Sequence, residues 1–127
     1  MRFTMDSAGN ALQVRRYGAD GIEVGDRWLT GPCLVTAQQL VTDWTAREFA
    51  ALEPMDLAPL FALATDLVLV GTRAAERIPP ANLRREFRAR GIALESMELG
   101  AACRTFNVLV QEGRPVLAAL FPAAGGT

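Results

Sequence analysis

The chain contains no histidine and no lysine; its thirteen basic residues are all arginine. That removes whole classes of chemistry. Without imidazole there is no Ser-His or Cys-His dyad and no His general base or metal ligand. Without an ε-amine there is no Schiff base and no Walker-type phosphate lysine. Cysteine is limited to Cys33 and Cys103, far apart and in no CxxC. Two thiols are too few ligands for a structural zinc site, so no metal is expected; no cofactor motif is present either. They are read as reduced thiols, with a disulfide between them left open. Net charge is −1, and no exposed aromatics alternate with cations, so nucleic acid is not an expected partner. No apolar run reaches the roughly 20 residues of a membrane-spanning helix. The opening MRFTMDSAGNAL lacks the apolar centre of a signal peptide, which makes a cytoplasmic location the expectation.

What remains is an apolar-rich chain of single-domain length, 127 residues with half of them hydrophobic. The first 64 residues hold 5 arginines against 8 acids and the rest 8 against 6, a skew too small to name a partner.

Residues 1–10 read as a loose lead-in and 123–127 as a frayed tail. Leu12 to Tyr17 alternates as a strand. Ile22 to Val24 and Trp28 to Thr30 flank Gly25-Asp26, a two-residue hairpin signal. Cys33 to Thr36 and Leu40 to Trp44 are further short strands. Thr45 to Glu53 is ambiguous, with Phe49 and Leu52 hinting at a helical turn. Asp56 is placed as the cap of a helix that tolerates Pro59 in its first turn. Leu67 to Val70 is a strand, and Gly71-Thr72-Arg73 its exit turn. Pro79-Pro80 opens a helix carrying Leu83 and Phe87, with arginines toward its end and Gly91 beyond. Arg84, Arg85 and Arg88 give it a basic face, either solvated or able to dock an acidic partner.

The stretch from Gly91 to Pro122 organises the rest. Ile92 to Glu95 alternates as a strand. Leu99, Ala102, Cys103, Phe106 and Val110 make one apolar helical stripe, ended by Gly113. Val116 to Phe121 is an unbroken apolar run, suited to a strand buried on both faces. The fold class is therefore α/β: one domain with a β-rich N-terminal part built of hairpins. A strand-helix-strand-helix-strand sequence follows and forms a mixed central sheet with packed helices.

Two segments are candidates for a ligand or partner pocket. Gly71, Thr72 and Arg73 leave the carboxyl end of a strand, where open α/β sheets place ligands; the segment extends to Arg77. Cys103 and Arg104 sit near the start of the last helix. Unpaired backbone N–H groups and Arg104 could lower the thiol pKa there, with Glu95 and Glu98 the nearest acids. The alternative is a plain buried thiol on the core stripe.

The pattern Gly71-Thr72, Pro80, Leu83, Phe87, Gly91-Ile92, Glu95, Met97, Ala101 to Asn107, Glu112 to Arg114, Val116, and Ala118 to Leu120 resembles one family. This is a small α/β family of unknown function that includes a mitochondrial respiratory complex I assembly factor and an adipogenesis-associated domain protein. The resemblance covers roughly residues 10–122. It implies a compact α/β fold and a role in assembling a respiratory complex through protein contacts. Arg73 stands where the family commonly has a second glycine, and Leu99 where it often has threonine. No catalytic set transfers. Two functions follow: a non-enzymatic interaction or assembly protein with another polypeptide as partner, a weak homodimer being left open, or a small-molecule binder or enzyme using Gly71–Arg77 and Cys103–Arg104.

Overall fold

Two apolar runs make the middle of the molecule. A computed structural model describes residues 2–3, 10–64, 66–74 and 77–123. Strands β1 to β6 are Arg2–Phe3, Val14–Tyr17, Ile22–Val24, Arg27–Leu29, Cys33–Val35 and Leu40–Val41; a 3-10 turn occupies Phe49–Ala51. Then come α1 (Pro54–Leu63), β7 (Leu67–Thr72), α2 (Ala81–Ala89), β8 (Ala93–Glu98), α3 (Leu99–Gln111) and β9 (Leu117–Phe121). The large sheet runs β1-β6-β5-β9-β7-β8 and the small one β2-β3-β4. β9-β7-β8 are parallel and the remaining pairs of the large sheet antiparallel, so the sheet is mixed.

Side chains alternate across a strand, and here the alternation divides two cores. Leu34, Val68, Val70, Leu117, Ala119 and Phe121 face one way, toward Leu60 of α1 and Leu83 and Phe87 of α2. Cys33, Val35, Leu69, Ala118 and Leu120 face the other way, toward α3 and the inner residues Val14, Ile22, Val24 and Leu29 of the small sheet. The apolar stripe on α3 thus lies between two sheets. Leu99, Ala102, Cys103 and Phe106 are each at most 1% exposed, because no side of the stripe meets solvent.

Several local expectations shift. Gly71 and Thr72 are not a turn; β7 carries through both, pairing Thr72 with Glu98 and with Phe121. Buried partners on both sides extend the strand past the end of its apolar run. Asp56 is not the N-cap of α1. The helix starts at Pro54, and Asp56 reaches back from the first turn so that its Oδ2 accepts the Glu53 N–H at 2.8 Å. Pro80 occupies the N-cap of α2, and Ile92 precedes β8, which runs on to Glu98. Arg2–Phe3 pairs with Val41 and Leu40 as an edge strand, inside the segment expected to be a lead-in; residues 4–9 and the tail 124–127 lie outside the described residues. The Gly25-Asp26 hairpin forms between Val24 and Arg27, with Gly25 at φ 60°, the left-handed conformation that favours glycine.

Candidate functional site

The parallel trio β9-β7-β8 ends together, in register at Phe121, Thr72 and Glu98. Arg73, Pro122 and the first turn of α3 sit just beyond this edge. Both candidate segments therefore reach one place, but they contribute unlike parts.

Gly71 faces α3. A Cβ there would stand 2.7 Å from Ala102 Cβ and 2.9 Å from Leu120 Cδ2, so the missing side chain lets helix and sheet close up. Thr72 is buried, and its Oγ1 accepts the Ala74 N–H at 3.1 Å. Arg73 ties three elements: Nε donates to the Pro122 carbonyl at 2.9 Å and Nη2 to the Gly18 carbonyl. Arg77 is exposed, and its carbonyl accepts the Ser96 hydroxyl.

On α3, Glu98 is the N-cap and accepts the Ala101 N–H at 3.2 Å. The Gly100 N–H above all, then Ala101, Arg104 and Arg73, holds its carboxyl below the usual carboxylate range, against a desolvation penalty. Arg104 is exposed and donates to the Tyr17 hydroxyl. The Tyr17 ring lies over Gly100, where a Cβ would come within 2.9 Å of it. Glu95 is exposed in mid-strand opposite Leu69.

Cys103 is the fifth residue of α3, past the free N–H groups of the first turn. Burial pushes its thiol up to about 12, with Glu98 adding to the rise and Arg104 and Arg73 opposing it. Cys33, on the same side of the sheet, is likewise raised to about 12 by burial and by Cys103. Both are free thiols. The direction is opposite to that of an activated nucleophile.

Sequence reading gave Tyr17, Gly18 and Asn107 no part here. Asn107 Oδ1 accepts the Val14 N–H at 2.9 Å, and its Nδ2 donates to the Val14 carbonyl at 2.8 Å. It serves as a one-residue strand partner for the open edge of β2. The only local signal was a polar residue beside the apolar stripe. Towards this end of α3 lies a groove of about 670 Å³, lined by Gln13, Val14, Arg15, Asn107 and Gln111 among others. Among the described residues no cluster of three or more Cys, Asp or Glu is arranged to hold a metal. Arg73 and Arg104 work as a latch: their guanidinium groups bond Gly18 and Tyr17 and so hold the small sheet over the start of α3, which Glu98 caps.

A family model described as a protein of unknown function (DUF498/DUF598) matches residues 14–121. A Bos taurus protein named NADH dehydrogenase (ubiquinone) 1 alpha subcomplex assembly factor 3 is 35% identical over 120 residues, 92% of this chain. The chain spans 64% of that relative's length. An uncharacterised protein of Rhodobacter capsulatus is 36% identical, across 91% of this chain and 88% of its own. The NMR structure of a Xanthomonas campestris protein superposes with a TM-score of 0.82 at 26% identity, covering 97% of this chain and 93% of that one.

Proposed function

Since the chain belongs to the DUF498/DUF598 family, we propose that it is a non-catalytic assembly factor for a respiratory NADH dehydrogenase, acting by contact with another polypeptide. The observation that carries this is the 35% identity to a named assembly factor over 92% of the chain. Chemistry supports it. The nucleophiles Cys33 and Cys103 are buried and protonated, and the charged groups nearest them are engaged in holding the fold together. No described helix is long and apolar enough to cross a membrane; the cytoplasmic side of the complex is the proposed site of action.

The test is a chromosomal deletion in the source organism. Membranes should lose NADH:quinone oxidoreductase activity and the matching band on a native gel, while succinate oxidation persists. Normal levels of the assembled complex would overturn the reading. That result would favour a small-molecule site at Gly71–Arg77 and Cys103–Arg104, for which the meeting of Arg73 and Arg104 at the strand ends is the supporting observation.

A further inference from the structure

Helix α2 packs Leu83 and Phe87 inward and exposes the rest of its surface. At about 100° per residue, Arg84, Arg85 and Arg88 share one arc of about 100°, with Glu86 and Arg90 on the other flank. Four other arginines have work inside the molecule. Arg90 pairs with Glu86 and lies 3.9 Å over the Phe61 ring. Arg16 meets Glu23 at 2.8 Å. Arg73 and Arg104 hold the latch. No carboxylate among the described residues pairs with Arg84, Arg85 or Arg88.

Helix physics accounts for only one of them. Arg88 stands in the last turn of α2, near the carbonyl end that stabilises cations, whereas Arg84 and Arg85 stand short of it. Arg88 is one turn from both, so the three repel one another. No carboxylate among the described residues offsets this repulsion.

We propose that this face docks the partner polypeptide, and that the partner presents Asp or Glu side chains at i,i+3 or i,i+4 spacing on a helix of its own. The inference rests on the assembly-factor reading and names its contact surface. Guanidinium forks grip carboxylates bidentately, and a helical row of acids matches the spacing of Arg84, Arg85 and Arg88. A polyanion such as nucleic acid or an anionic bilayer fits less well. Three cations on a chain of net charge −1 offer few contacts to a surface that rewards many.

The experiment replaces Ala81, in the middle of the arc, with photoreactive benzoyl-phenylalanine in the full chain, in its own cells. Mass spectrometry of the adduct should identify one polypeptide whose linked segment carries acids at helical spacing. Its yield should fall by roughly fivefold or more in the Arg84→Glu/Arg85→Glu/Arg88→Glu chain. All three side chains are exposed, so the reversed chain should melt as the parent does. If it melts early, Arg85→Glu alone carries the comparison. A yield indifferent to charge reversal, a linked segment without acids, an adduct only to lipid or nucleic acid, or no adduct would overturn the proposal. The two readings separate cleanly. A deletion without effect on the dehydrogenase removes the assembly role. A deletion phenotype fully rescued by the charge-reversed chain removes this surface alone.

Discussion

Gly71 and Cys103 take their meaning from what stands opposite them. In the sequence Gly71 looks like a turn glycine; in the fold it is a contact between β7 and α3, closed by Ala102 and Leu120. Gly71→Ala should destabilise by about 1–3 kcal/mol through overpacking, read as a thermal midpoint several degrees lower. An unchanged midpoint would mean the layers separate at little cost. The thiols make a second, pH-linked case. Each has its folded pKa raised from 9.0 to about 12, so between those values the folded chain binds more protons than the unfolded one. Stability contributed by the two groups is therefore full below pH 9 and declines as pH rises toward 12. The slope approaches roughly 1.4 kcal/mol per pH unit for each thiol. Denaturant titrations from pH 8 to 11 should reveal this fall, and a Cys33→Ala/Cys103→Ala chain, though weaker throughout, should have a flatter profile.

Elements with strong local signals were legible from the residues: the Gly25-Asp26 hairpin, the β7 and β9 runs, and α2 and α3 with their glycine stops. Their ends were less so, because ends are decided by partners. β8 continues to Glu98 because β7 is there to pair with it, and β7 continues through Thr72 because two neighbours hold it. The candidate site was half legible. Placing Arg73 and Arg104 near one sheet edge followed from the topology, but Tyr17 and Gly18 come from a hairpin over fifty residues away from Arg73. No local pattern announces such a contact. The same is true of Asn107, whose amide closes the edge of β2. Asn107→Leu leaves the Val14 N–H and carbonyl without partners, at about 1–3 kcal/mol. Hydrogen exchange should quicken first over residues 14–29. Uniform protection there would mean that the core contacts alone hold the small sheet.

At the scale of the molecule the two cores share one sheet, so neither half has a complete core of its own. Trp28 lies on the small sheet, whereas Trp44 packs 5.5 Å from Phe121 on the far side of the large one. Single-tryptophan chains made with Trp28→Phe or Trp44→Phe should therefore give coincident fluorescence and circular dichroism transitions. Separated midpoints would show the small sheet melting by itself. The sequence by itself determined the α/β class, the apolar runs and stripe, and the exclusion of imidazole and amine chemistry, since these depend on periodicity and residue type alone. Tertiary structure decided that Cys103 is held protonated, that Gly71 is a packing contact, and that Arg73 and Arg104 form a latch while Arg84, Arg85 and Arg88 stay unpaired among the described residues. Those outcomes depend on burial and distance between residues remote in the chain, and only the assembled layers supply them.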